Sequence, residues 1–167
     1  MASAAPSYAL ADDPRRSQGH PEGHRLMSDP ALALQDAIEA TLTAYAPLQA
    51  IGTAGKVVIH TMSAPNGAAF PYVVIGEDQV LDDSTECLDG SEVYSTVHCW
   101  ARASDDPENS RRETKAMAAA IRQALKTITV PGFDVVLIEF DSARHLTAAD
   151  GLTAHAVLTF RLLLDPV

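Results

Sequence analysis

The sequence places a histidine next to a cysteine, the residue types of a general base and a thiol nucleophile. His98 and Cys99 are neighbours in a predicted strand. Adjacent strand residues point to opposite faces of a sheet, so these two side chains cannot form a nucleophile–base pair directly. Because free cysteine is one of the most frequently buried residue types, we interpret Cys99 as a small core residue.

Metal ligation is the other chemistry that the residue types allow. Histidines occur on three predicted strands, at His60, His98 and His155. No carboxylates stand at ligand spacing from them, so we predict no metal site. One predicted strand carries acids similar to those of a nuclease, but without the lysine expected two positions after the acid: Asp134, Glu139 and Asp141. Motifs for nucleotide, hydrolase and zinc-protease sites are also absent, so the residues indicate no catalytic site and no cofactor.

Composition indicates one soluble globular domain. The chain has 167 residues, 47% of them hydrophobic and 20% charged, which leaves no room for two large cores. The 22 acids outnumber the 12 bases, and the formal net charge of -10 argues against sequence-independent binding to DNA phosphates. No apolar run approaches the roughly 18 residues of a membrane span. The two cysteines lack the spacing of a zinc site and are too few for a disulfide framework.

The first 26 residues differ from the rest of the chain. They contain three prolines and show no sustained apolar period, so we predict a flexible N-terminal arm at 1–26 and a folded domain at 27–167. Met27 has the form of a second translation start. Two explanations of the arm stay open: a start assigned too far upstream, or an extension specific to this lineage.

Apolar periodicity predicts an α+β domain over residues 27–167. One stripe at helical spacing runs from Leu34 to Tyr45, and a second helix opens with a capping box at Ser110–Glu113. The later strands alternate apolar and polar residues, as in an antiparallel sheet with one buried face. The predicted strands cover 56–60, 72–81, 92–102, 133–140 and 152–164. The order α-β-β-β-α-β-β indicates a mostly antiparallel sheet with two helices packed on one face.

Four stretches, in this order along residues 27–165, resemble the tail terminator (tail-completion) proteins of long-tailed double-stranded DNA phages and of gene transfer agents. They are Met27–Ile38, Gly67–Glu77, Val97–Arg102 with its helix to Leu125, and the last hairpin with Ala143-Arg144 and Asp150-Gly151. No single motif is diagnostic, and the specificity lies in the ordered set.

The resemblance implies a structural role in the virion. Members of this family form a hexameric ring at the head-proximal end of the tail, which caps the tail tube, ends its growth and provides the docking face for a head-completion (stopper) protein. The implied partners are therefore the chain itself, the tail tube protein and the stopper, with assembly in the host cytoplasm and DNA passing through the lumen without specific binding. Two alternatives stay open: another neck or connector protein, or a small nuclease or hydrolase.

A ring needs a heterologous contact, in which one patch of a subunit meets a different patch of the next. Residues 77–92 contain seven acids and no base, whereas residues 111–126 contain five bases and one acid. Four of these bases fall within roughly 60° of one another on a helix, beside its apolar stripe. The predicted interface consists of Asp82, Asp83, Glu86 and Asp89 on one subunit and Arg111, Lys115, Arg122 and Lys126 on the next. The alternative is two solvated charged faces.

The single tryptophan, Trp100, is either a core residue or an interface anchor.

Overall fold

The computed structural model of the protein describes residues 29–52, 55–104 and 106–167. The predicted flexible arm at 1–26 lies outside these residues. The described elements are, in chain order, α1 (Pro30–Ala44), α2 (Ala46–Gln49), β1 (Val58–Thr61), β2 (Tyr72–Asp82), β3 (Ser91–Arg102), α3 (Pro107–Leu125), β4 (Phe133–Thr147) and β5 (Thr153–Pro166). The α+β class and the predicted order of long elements are confirmed, and the single-turn helix α2 is an addition to that order.

The five strands form one mixed sheet in the order β1-β2-β3-β5-β4. β1 pairs with β2 in parallel, and the other three pairs are antiparallel. β5 is the last strand in the chain but lies between β3 and β4. β1 covers β2 only from Tyr72 to Ile75, so within the described residues the second half of β2 has a partner strand on one side only.

Helices α1 and α3 pack on one face of this sheet and enclose a single core. Every second residue of β3 and β5 points into it, as the alternation predicts: Val93, Val97 and Cys99 from β3, and Ala156, Leu158, Phe160, Leu162 and Leu164 from β5. The predicted helix stripes supply the opposing surface, with Leu34, Ile38 and Leu42 from α1 and Met117, Ile121 and Leu125 from α3. Cys99 is fully buried and burial raises the pKa of its thiol, which confirms its interpretation as a core residue.

The start of α3 differs from the prediction. Asp106 caps the helix, because its carboxylate accepts a hydrogen bond of 2.9 Å from the backbone N–H of Glu108, and Pro107 occupies the first turn. The Ser110 hydroxyl donates to the carbonyl oxygen of Pro107 at 2.8 Å and is buried within the helix. The predicted capping box at Ser110–Glu113 is therefore wrong, since Asp106, four residues before Ser110, provides the cap and Pro107 a favourable backbone angle.

Strand β4 also extends beyond its predicted end at Phe140. It continues to Thr147 because its second half pairs with β5 as far as Ala154. None of the helices in the described part of the chain is long and apolar enough to cross a membrane.

Candidate subunit interface

The acidic residues of the predicted interface lie together on the connection between β2 and β3, which we call the acidic connection (residues 82–90). Asp82 accepts hydrogen bonds from the backbone N–H and the hydroxyl of Ser84, at 3.2 and 2.5 Å, and these bonds lower the pKa of its carboxyl. A backbone bond of 3.0 Å from Asp83 to the carbonyl of Gly90 closes the base of the loop. The connection is therefore a compact turn whose four predicted interface acids are exposed: Asp82, Asp83, Glu86 and Asp89.

The basic residues of the predicted interface form a line along α3, which we call the basic edge (Arg111, Lys115, Arg122 and Lys126). All four side chains are exposed. The guanidinium carbon of Arg122 lies 3.8 Å from the ring centroid of Phe140, a cation–π contact with β4. At the other end of α3, burial together with the charges of Lys115 and Arg111 lowers the pKa of His145, also on β4. The basic edge thus runs beside the outermost strand of the sheet.

The acidic connection and the basic edge lie on different sides of the subunit. β2 and β4 are three strand spacings apart in the sheet order, about 14 Å. No ion pair joins the two groups within residues 29–52, 55–104 and 106–167. Within the described residues neither group therefore neutralises the other, and their part in a subunit contact stays a prediction.

Sequence reasoning did not foresee a row of stacked rings on the sheet face opposite the helices, which we call the open face. Trp100 stacks on His155 with ring centroids 3.7 Å apart and planes 8° apart. Tyr72 stacks on the other side of Trp100 at 6.4 Å. Trp100 lies on this face because it alternates with the buried Cys99 and Ala101, and the pairing register of β3 with β5 brings His155 beside it.

Two of the three strand histidines also meet on the open face. The Nδ1 atom of His98 and the Nε2 atom of His155 are 2.9 Å apart, while the Nε2 atom of His98 lies 3.5 Å from a carboxylate oxygen of Glu77. His60 instead meets the Tyr72 ring edge-on, with centroids 5.7 Å apart. In the described part of the chain, no three histidine, cysteine or acidic side chains are placed to bind one metal ion.

One of the three acids that resemble a nuclease strand, Glu139, forms an ion pair across the sheet. Glu139 lies 3.2 Å from Arg161 on the neighbouring strand β5, and Arg161 also pairs with Glu92 on β3. These contacts raise the pKa of Arg161, with the hydrogen bond from Arg161 to Glu92 as the largest cause. Glu139 thus belongs to a three-residue ion-pair network that joins β3, β5 and β4.

Comparison with known proteins gives one consistent relationship. The sequence model of the family described as "Tail completion protein gp17" matches residues 36–165. The tail completion protein gp17 of Bacillus phage SPP1 is 27% identical over 136 residues, which cover 80% of this chain and 92% of that protein.

Two solved structures resemble the fold. A chain from the virion of a native gene transfer agent particle matches with a TM-score of 0.69 at 25% identity, covering 83% of this chain and 98% of that chain. The structure of bacteriophage SPP1 gp17 matches with a TM-score of 0.52 at 25% identity, covering 79% of this chain and 88% of that one. Since the family match spans most of the α+β domain, from α1 to the end of β5, this chain belongs to the tail completion protein gp17 family.

Proposed function

We propose that this chain is a structural component of a phage or phage-like particle, where it forms a ring that caps the head-proximal end of the tail tube. The observation that carries this proposal is the match to a chain of a gene transfer agent virion over 98% of that chain's length. The match to tail completion proteins of the gp17 family supports the same role. In this role the ring ends growth of the tube and offers a face on which a head-completion protein docks.

The proposed ring contains six copies of the chain. The contact between neighbouring copies is heterologous. The acidic connection of one subunit faces the basic edge of its neighbour, which gives the ring a direction. This arrangement is supported by the exposure of both groups and by their positions on different sides of the sheet. Exposed ion pairs each contribute only about 0–1 kcal/mol, so apolar contacts supply most of the affinity and the charges mainly select the orientation.

The net charge is compatible with a channel for DNA. A formal charge of -10 leaves acids in excess after the basic edge is paired, and acids around a lumen repel phosphates. DNA then passes through the ring without being held. The remaining partners in this proposal are the tail tube protein below the ring and the head-completion protein above it.

Tail length tests the proposal directly. Tails assembled without this chain are expected to vary widely in length in negative-stain electron micrographs, and adding the purified chain during assembly should restore a uniform length. A neck protein that acts only after the tail is complete would leave tail length uniform in both samples. Uniform tails without the chain would therefore contradict the terminator role and favour the neck alternative.

A further inference from the structure

The open face carries a pocket of about 570 Å³ beside the row of stacked rings. Tyr72 and Trp100 form an aromatic wall, Val74 contributes apolar surface, and Glu77 and His98 supply the polar groups. Met62, at the rim, is 87% exposed. Aromatic faces next to a carboxylate suit a guanidinium group, which stacks on rings and forms paired hydrogen bonds with an acid.

An irregularity in β2 builds the polar wall of this pocket. The register shifts between Ile75, opposite Val97, and Asp78, opposite Ser95, so that Gly76 and Glu77 together occupy one pairing position. A Cβ atom on Gly76 would lie 2.5 Å from the Nε2 atom of His98, so a glycine here leaves the space that the imidazole occupies. The Glu77 side chain, 80% exposed, consequently lies next to His98 on the open face.

Within the chain, Arg144 is a cation suitably placed for such a pocket on another copy. It is exposed on the edge strand β4, and its side chain forms no hydrogen bond or ion pair with the residues that the structure describes. The pairing register places it in one row across the sheet, which reads His60, Val74, His98, Val157 and Arg144. Arg144 therefore lies at the β4 edge of the sheet, and the pocket lies in the same row towards the opposite edge.

The neighbouring row has apolar residues at both ends. It reads Val58, Tyr72, Trp100, His155 and Leu146. Val58 is 39% exposed and Leu146 is 41% exposed, so an accessible aliphatic side chain lies at each end of the aromatic row. When the β4 edge of one copy approaches the β1–β2 side of the next, both rows continue from subunit to subunit.

We propose that the pocket bounded by Tyr72, Trp100 and Glu77 receives Arg144 from a second copy of this chain, with Leu146 packing beside it. This inference rests on the proposed ring and assigns an apolar and aromatic centre to its subunit contact. This contact and the contact between the acidic connection and the basic edge run in the same direction around the ring. In both, the cation comes from the β4 side of one copy and the acid from the β2 side of the next. The contact is heterologous, as closure of a ring requires.

Cysteine cross-linking tests which residues meet. In a Cys87→Ser background, which removes the exposed thiol and keeps the buried Cys99, the full chain carries Glu77→Cys and Arg144→Cys together. After assembly on tails and mild oxidation, we expect covalent oligomers that extend up to the complete ring. Either single variant should give none, and neither should Glu77→Cys combined with Arg112→Cys, a control on the exposed surface of α3.

Charge reversal and fluorescence provide a second readout. Glu77→Arg or Arg144→Glu alone should weaken ring assembly about tenfold, and the two together should restore most of it. Because the chain has one tryptophan, its emission should shift to shorter wavelength when the ring forms, and Arg144→Ala should reduce this shift.

The outcomes separate this inference from the proposed function. Rings that are visible on tails but give no cross-link and no tryptophan shift would overturn the pocket assignment and leave the terminator role intact. Cross-links from Glu77→Cys to the tail tube or head-completion protein would overturn the choice of a second copy as the occupant. Tails of normal length that carry no ring would contradict the proposed function itself.

Discussion

His98 and His155 share a hydrogen bond between neighbouring strands, with 2.9 Å from Nδ1 of the first to Nε2 of the second. They are diagonal neighbours, because His98 lies opposite Val157 and His155 lies opposite Trp100. Only one of the two bonded nitrogens can carry the proton, so a fully protonated pair would break this bond. Partial burial, followed by the proximity of His98, lowers the pKa of His155 to about 4.

The lowered pKa of His155 predicts that the free energy of unfolding falls in mild acid. The pKa of His155 is about 4 in the folded chain against a reference value of 6.5, so the unfolded chain binds more protons between these pH values. The free energy of unfolding should therefore fall as the pH is lowered from about 6.5 towards 4. Urea unfolding at several pH values should show a smaller fall for His155→Phe, which keeps a ring on Trp100 but does not titrate. Equal losses in the two proteins would contradict the prediction.

Removal of the charge on Asp78 should stabilise the protein at neutral pH. Burial is the main cause that raises the pKa of this carboxyl; Ser95 opposes the rise, and the negative charges of Glu77 and Asp29 add to it. A raised pKa means that stability is lost as the pH rises through the folded value. Asp78→Asn should therefore increase the free energy of unfolding at pH 7 by a few tenths to about 1 kcal/mol, a range reduced for solvent screening of a partly buried group.

Asp82 provides the matched control for this substitution on the same strand. Hydrogen bonds from Ser84 lower the pKa of its carboxyl, so the charged form is favoured in the folded chain. Asp82→Asn should accordingly give no gain at pH 7, and the gain from Asp78→Asn should vanish near pH 3 in chemical denaturation curves. A gain from Asp78→Asn that persists at pH 3 would show that charge is not its cause.

Reversal of the acidic connection should weaken the oligomer. In the proposed contact, the double substitution Asp82→Lys and Asp83→Lys places cations opposite the basic edge of the neighbour, and Arg122→Glu with Lys126→Glu should partly restore association. Sedimentation velocity at low and moderate salt measures both effects, which should diminish as salt screens the charges. Asp36→Lys with Glu39→Lys makes the same change in net charge on the exposed side of α1. If the reversed acidic connection associates like this control at every salt concentration, the subunit contact lies elsewhere.

A chain that begins at Met27 should fold and assemble like the full chain. The family match starts at residue 36, and the described core uses residues from Leu34 onwards. Thermal unfolding and the tail-length assay should give the same results with and without residues 1–26. An insoluble or non-assembling truncated chain would show that these residues take part in the assembly.

Much of the fold could be predicted from local pattern. The alternation in β3 and β5 identifies the buried face correctly, for example at Val97 and Leu158, because a strand has a strict period of two. The order of strands in the sheet could not be predicted in this way. β4 and β5 form a local hairpin, but the pairing of β5 with β3 joins distant segments and leaves no trace in the period of either strand.

The two charged groups could be predicted because each is continuous in sequence, whereas the pocket could not. Its walls come from β2, β3 and the segment after β1, and the carboxylate of Glu77 reaches it through an irregular pairing. The available signal is Gly76, since a glycine inside a strand often marks a bulge or a close approach. The identity of the neighbour that it accommodates, His98, becomes evident only in three dimensions.

The central position of β5 has a consequence for how the protein is made. While the ribosome is still adding residues 153–166, β3 and β4 cannot join, and both leave unpaired strand edges and an open core. Such nascent chains are prone to aggregate, and the long-range pairing that completes the sheet is slow compared with helix formation. The complete sheet, in which β5 joins the pocket-bearing strands β2 and β3 to Arg144 on β4, exists only after this last strand has paired. In the proposed ring, only a chain whose β5 is in place therefore holds Arg144 and the pocket at a fixed separation.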